Sequence, residues 1–304
     1  MSKVYVFTDF GGPETQALID RPAPQPGPGE LAVRVRAAGV NPVDYKTRAG
    51  RYRRDQPLPA PMGQEVSGVV TALGEGVESF AVGDEILGPV VPDYGAFAED
   101  TLVRATDAVA KPDEIAFADA ATIPVAGATA YDATHQIELE PGQQLLILGA
   151  GGGVGLMAAQ IGKVHQFTVI GIASQAKREI VQATGATFIP SGANVADQVR
   201  QIAPEGVDLI LDLVGGDALR QVAGLVTDPA RIISAADPDT VTELGGSPLK
   251  RTTEALEKIT GVIEYNLVDP NVSALYPLED AGEAIAAVES GHATGKIVIQ
   301  PHNA

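Results

Sequence analysis

Residues 145–163 read LLILGAGGGVGLMAAQIGK, an aliphatic run followed by five glycines in the seven positions 149–155. The run is short, continuous and free of polar residues, which is how a strand buried on both faces reads. From Val154 onward the apolar spacing becomes that of a helix. The glycines therefore sit at a strand-to-helix turn. A helix gains nothing from glycine, which is about 1 kcal/mol worse than alanine in its interior. A nucleotide-binding turn does gain, in three ways: a tight bend, close approach of the backbone to a pyrophosphate, and close packing of helix on strand. Against the pattern G-x-G-x-x-G the chain offers Ala150, Gly152 and Gly155, with alanine in the first place. Gly153 and Val154 lie between them, where the first N–H groups of the helix and its dipole favour an anion. A close-packed turn with no ligand could have the same composition. The surroundings favour the nucleotide, because a second strand, FTVIGIA (167–173), ends about 20 residues further on.

At the tip of that second strand a carboxylate would take the ribose hydroxyls of NAD. The chain instead reads Ala173-Ser174-Gln175-Ala176-Lys177-Arg178, with no acid before Glu179. A hydroxyl and two cations, Ser174, Lys177 and Arg178, suit a 2′-phosphate, so NADPH is expected rather than NADH. The alternative is that Lys177 and Arg178 are solvated helix residues.

Working outward, strands continue to alternate with helices. SQAKREIVQATGA is a helix ended by Gly185, TFIP a short strand, VADQVRQIA a helix, VDLILDLV a fourth strand and ARIISAA a fifth. Such alternation gives a doubly wound parallel sheet. TTEALEKITGVIEYN is a further amphipathic helix, and the tail from Tyr276 gives one more helix and a strand. Upstream the character differs. The first 110 residues or so read as short strands between Gly/Pro turns, an all-β unit, with RPAPQPGPGE (21–30) as a loop.

Composition removes several classes of function. At 304 residues the chain has room for about two domains. A formal charge of −18 argues against nucleic acid and anionic membrane surfaces as partners. No apolar run reaches the roughly 18 residues of a membrane span, and the N-terminus shows no signal-peptide core, so a cytoplasmic location is expected. There are no cysteines, and the four histidines (135, 165, 292 and 302) include no pair at helical spacing, so no metal site is expected.

GVNPVDYKTRAG, PLPAPMGQEVSGVV, VGDEILG, GAFAE, IPVAGATAY, the glycine loop and GHATGKIVI follow one another from end to end. In this order they resemble the medium-chain dehydrogenase/reductase superfamily, in its zinc-free quinone oxidoreductase (zeta-crystallin-like) branch. The resemblance implies an α/β chain: a GroES-like β-barrel domain from residues 1–122 plus 267–304, with a Rossmann domain, 123–266, inserted. It implies an active-site cleft between them and a homodimer. Zinc alcohol dehydrogenases of the same superfamily carry metal ligands where this chain has Asn41 and Gln64, and no thiol stands near PVAGATAY for the third.

Without a Lewis acid to hold an alkoxide, alcohol oxidation loses its electrophile. Hydride delivery to a quinone or an α,β-unsaturated carbonyl remains feasible, the oxygen needing only hydrogen-bond donors. By resemblance, Asn41 and Asp44 line the cleft beside the nicotinamide, Asn41, Thr129 and Val214 contact the cofactor, and Tyr52 lies over the substrate with Tyr45 and Lys46 nearby. Tyr52 could orient the acceptor carbonyl, donate a proton or form an aromatic wall. Asp44 could instead cap a turn, and Asn41 before Pro42 must be extended or in a turn. Three features depart from the family: at 304 residues the chain is shorter than many relatives, AADPDTVTELGGSPLKRT (235–252) looks rebuilt, and Ser191 stands where NADP-dependent relatives often have tyrosine. The resemblance also leaves room for an enoyl reductase acting on a larger acyl substrate, or for a non-catalytic NADP-binding sensor.

Overall fold

The computed structural model describes residues 1–301; His302 lies outside the described residues. The chain divides into two compact units, Met1–Val125 with Val272–Ala304, and Ala126–Asn271.

In the second unit, Gln144–Leu148 is the strand read from LLIL, and residues 145–148 are buried. It lies inside a six-stranded parallel sheet ordered Thr187–Pro190, Thr168–Ala173, Gln144–Leu148, Leu209–Asp212, Ile232–Ser234, Ser247–Pro248. The order reverses beside the first strand of the series, the switch point at which such sheets bind ligands. Helix Gly153–Val164 follows the glycine turn and buries Leu156, Met157, Ala158, Ala159 and Ile161. Burying a Leu, Ile or Met side chain stabilises by about 1.5–3 kcal/mol each, so this face contributes several kcal/mol to holding the helix in place. The 235–252 segment is ordered locally: Asp237 caps the helix Pro238–Glu243 through Thr240 N, and Ser247–Pro248 ends the sheet.

The first unit is built from a seven-stranded sheet and a three-stranded one. Glu30–Val40 is the longest strand, pairing antiparallel with Glu65–Leu73, Asp100–Arg104 and Lys296–Gln300. The C-terminal strand thus completes a sheet begun near the N-terminus. Leu31, Val33, Val35, Val66, Ile86, Phe97, Ile297 and Ile299 share its core with Leu278 and Ile285 from the C-terminal segment.

The all-β reading of this unit needs one correction. Pro42–Arg48 is a helix. Proline suits its first position because the first N–H groups of a helix need no intrahelical acceptor. Asn41 precedes it in extended backbone (φ −132°, ψ 154°), and Asp44, three residues on, accepts the Asn41 N–H. Seven residues cannot bury a long stripe, so this helix leaves almost no periodicity in the sequence. The strand Val272–Pro277, parallel to Lys296–Gln300, is also not legible in the sequence, because its burial is only partial.

Candidate functional site

The glycine turn is held by its neighbours. Gly149 and Ala150 both donate to Ile172 O, at 3.0 Å each, which ties the turn to the end of the next strand. Gly149 has φ +91°, a conformation that needs glycine. A Cβ on Gly155 would lie 2.5 Å from Gly149 O and 2.6 Å from Ala150 Cα, so this glycine exists for helix–strand contact. A Cβ on Gly152 would meet only Gly149 O, at 3.7 Å, so the space before it is open. Gly152 is the N-cap and has no side chain to cap with. The N–H groups of Gly153, Val154 and Gly155 then have no acceptor within the helix. Open space in front of these donors fits a pyrophosphate.

Alanine at position 150 has its own counterpart. A Cβ on Gly171, in the adjacent strand, would come 2.9 Å from the Ala150 methyl. A small residue on the second strand makes room for the methyl that the first fingerprint position carries here.

Ser174 ends the second strand's run and precedes the turn Gln175–Lys177. The Lys177 stem crosses the glycine loop, since a Cβ on Gly151 would touch Lys177 Cδ at 2.5 Å. Lys177 is half-buried, and that burial pulls its ammonium below the ordinary lysine range. Arg178 lies over the Phe188 ring, its Cζ 4.7 Å from the centroid. Thr129 is buried in helix Ala128–His135, while Val214 is 54% exposed just past the fourth strand.

Asp212, which the sequence motifs do not single out, shapes the turn that carries Val214. Its Oδ1 accepts from Val214 N (3.0 Å) and Gly215 N (2.8 Å), and its Oδ2 accepts from Ser234 Oγ. Asp237 then accepts from Gly216 N at 3.0 Å. The signal available in the sequence is an acid at the end of a buried aliphatic strand, shortly before Gly215-Gly216.

In the first unit, the structure brings Asn41 and Asp44 together and adds two residues not anticipated, Glu65 and Lys296. All four are buried. Asn41 Nδ2 donates to Glu65 Oε1 at 2.7 Å, and Lys296 Nζ donates to Asn41 Oδ1 at 2.7 Å and to Glu65 Oε1 at 2.9 Å. Glu65 Oε2 accepts from Val125 N. This network therefore fixes which way the Asn41 amide points; its second N–H lies toward Gly39 O at 3.4 Å, and one lone pair of Oδ1 is left over. Burial pushes the Asp44 carboxyl up to about 7, against the opposing Asn41 N–H and the Lys296 charge, with Glu65 reinforcing the rise. Asp44 Oδ1 makes no hydrogen bond of good geometry, and the Gly63 N–H is near enough to the carboxyl to oppose the rise slightly.

Tyr52 is 45% exposed on a bend. Tyr45 is half-buried and has its hydroxyl raised by burial, with Arg51 and Tyr52 close enough to act on it. Gln64 is half-buried, and its backbone carbonyl accepts from Val90 N. Among the described residues, no three His, Cys, Asp or Glu side chains are grouped to hold a metal. His135 and His165 do approach in space, ring centroids 5.0 Å apart, within a run of rings from Tyr131 to Phe167. None of the described helices is long and apolar enough to cross a membrane.

Residues 27–113 match the alcohol dehydrogenase GroES-like domain, and residues 184–299 match the zinc-binding dehydrogenase family. The chain is 31% identical to the human synaptic vesicle membrane protein VAT-1 homolog, over 97% of this chain and 86% of the relative. It is 30% identical to the chloroplastic NADPH-dependent alkenal/one oxidoreductase of Arabidopsis thaliana, over 98% of this chain and 79% of the relative. The solved quinone oxidoreductase of Coxiella burnetii superposes with a TM-score of 0.91 at 30% identity, covering 99% of both chains.

Proposed function

Because the chain belongs to the medium-chain dehydrogenase/reductase superfamily, in its quinone oxidoreductase branch, we propose that it is an NADPH-dependent oxidoreductase that reduces quinones or α,β-unsaturated carbonyl compounds without zinc. The observation that carries this reading is the glycine loop, with open space before Gly152 and helix donors facing it. Gly152, Gly153, Val154 and Gly155 hold the pyrophosphate, with Ala150 closing the turn behind them. Ser174, Lys177 and Arg178 take the 2′-phosphate, and Thr129 and Val214 flank the nicotinamide. Bound NADPH supplies a hydride. The acceptor takes that hydride and one proton, and becomes a hydroquinone or a saturated carbonyl compound.

Asn41, Asp44 and Tyr52 serve the acceptor. Tyr52 is exposed enough to meet it and orients its carbonyl through the phenol. Asp44, with its carboxyl at about 7, carries a proton on a substantial fraction of molecules at neutral pH. Zinc independence is supported by the donor set: Asn41 Oδ1, at the first ligand position, already accepts from the Lys296 ammonium. A metal there would have to displace a cation. The reading includes domains at 1–122 plus 267–304 and 123–266, a homodimer formed through the Rossmann domain, and a cytoplasmic location.

The test is NADPH oxidation with a panel of quinones and enones. Turnover with one acceptor class is the expected result. Binding of NADPH with no turnover across the panel would overturn the reading in favour of a non-catalytic cofactor-binding protein.

A further inference from the structure

A buried ion pair usually reads as a staple, and Glu65–Lys296 joins strands 231 residues apart in the chain. Its geometry does more than join them. The lysine ammonium can only donate, and its three hydrogens meet three acceptors: Val40 O at 3.0 Å, Asn41 Oδ1 at 2.7 Å and Glu65 Oε1 at 2.9 Å. A carboxylate can only accept, and Glu65 takes Asn41 Nδ2 and Lys296 Nζ on Oε1 and Val125 N on Oε2. Between an obligate donor and an obligate acceptor, the Asn41 amide has one orientation. Reversing it would set NH₂ against ammonium and oxygen against carboxylate.

The sequence makes room for this arrangement. A Cβ on Gly39 would lie 2.2 Å from Glu65 Oε1 and 2.6 Å from Ala121 O, so glycine at 39 is what lets the carboxylate reach the amide. From the oriented side chain the constraint continues to the backbone. Asn41 N donates to Asp44 Oδ2 at 2.8 Å, so fixing Asn41 also fixes the carboxyl beside it.

We propose that Glu65 and Lys296 are positioning residues of the reductase site, which hold the Asn41 amide in a single orientation and, through the Asn41 backbone, set the Asp44 carboxyl. The proposal rests on the assignment of Asn41 and Asp44 to the acceptor side of the reaction. Neither Glu65 nor Lys296 need touch the acceptor.

The test compares Lys296→Met, Glu65→Gln, the double variant and Asn41→Ala, each alone and combined. Removing one charge strands the other, so each single variant is destabilised, whereas removing both restores much of the stability. A staple predicts that turnover returns with stability in the double variant. Positioning predicts that the double variant melts near the wild type, binds NADPH within about twofold, and still loses kcat by roughly ten- to a hundredfold, the scale of a misplaced group. Asn41→Ala then causes a similar loss in the wild type and little further loss in the double variant. Wild-type turnover in the double variant, or additive losses with Asn41→Ala, overturns the proposal.

If the double variant does not fold, Lys296→Arg keeps the charge and changes the donor geometry. A lowered kcat with unchanged NADPH affinity supports positioning, and an unchanged kcat refutes it. The Asn41 side-chain amide gives a readout independent of turnover: buried and bonded to Glu65, its NMR resonance should be shifted and slow to exchange in the wild type and should lose both properties in the double variant. Absence of turnover in the wild type itself would instead count against the reductase assignment, and this amide measurement would still decide the orientation.

Discussion

Asp44→Asn tests the Asp44 environment through stability, with no assumption about the reaction. The wild-type carboxyl moves from an ordinary 3.8 up to about 7, with burial as the main cause. The Asn41 N–H, the Lys296 charge and the Gly63 N–H oppose the rise, and the Glu65 charge adds to it. A carboxyl raised in this way binds more protons in the native state than in the unfolded chain between those two values. Stability is therefore greatest below about 3.8 and falls as pH rises through about 7. A shift of roughly three units, at about 1.4 kcal/mol each, makes the full loss about 4 kcal/mol. Between pH 5 and pH 8 the wild type should lose about 3 kcal/mol from this group alone. Asparagine keeps an oxygen for the Asn41 N–H, carries no charge to desolvate, and leaves the Glu65–Lys296 pair in place. Chemical denaturation followed by circular dichroism, at steps from pH 5 to pH 8, should show the variant gaining on the wild type by about 3 kcal/mol across that range. Any fixed difference from the unpartnered NH₂ of the introduced amide cancels in this comparison. A stability difference that stays level with pH would refute the argument that burial controls Asp44.

The glycine loop separates two kinds of small residue. Gly152→Val, with only Gly149 O at 3.7 Å from its Cβ, should cost no more than the about 1 kcal/mol of a poorer N-cap in the melting assay and abolish NADPH binding by calorimetry. Gly155→Ala, with a 2.5 Å clash against Gly149 O, should destabilise by about 1–3 kcal/mol in the same melting assay. Neutralising Lys177 and Arg178 to glutamine should weaken NADPH by about tenfold to a hundredfold for each charge-assisted hydrogen bond removed, at about 1.5–3 kcal/mol each. NADH dissociation constants measured at the same ionic strength should barely change. Prolonged chelation should leave turnover as it was, and a zinc that restores activity after chelation would refute zinc independence. Light scattering at micromolar concentrations should give the mass of a dimer.

The α/β unit is the most legible part of the chain, for a physical reason. A parallel strand buried on both faces must be aliphatic throughout, so LLIL, VIGI and LILD announce themselves, and the glycine turn marks where the helix begins. The barrel unit gives away its strands less completely. Helix Pro42–Arg48 buries only Asp44 and Arg48, both charged, so a search for apolar periodicity passes over it. What marks it is its start, Asn41-Pro42 with Asp44 at the third helical position, and the same residues suit a simple turn. The strand Val272–Pro277 is similarly quiet because it is only partly buried.

The site is half legible, and the division follows chain distance. Residues that work within one loop, such as Gly152 and Gly155, can be found by spacing because the turn fixes where they fall. Residues that work by meeting across the fold cannot. Asn41, Glu65 and Lys296 come from three strand ends, and the last two are 231 positions apart. Each nevertheless breaks its local pattern: Glu65 opens a strand whose next three residues are buried, and Lys296 opens one that continues Ile297-Val298-Ile299. Burying one unpaired charge at such a place would cost several kcal/mol. An acid and a base at the buried starts of two different strands therefore imply each other. Ala150 and Gly171 make the same point without charge: a methyl where the fingerprint has none requires a vacancy on the next strand, and the glycine facing it there supplies that room. Reading such mismatches as pairs, rather than as exceptions, leads from the sequence to the network beneath Asn41.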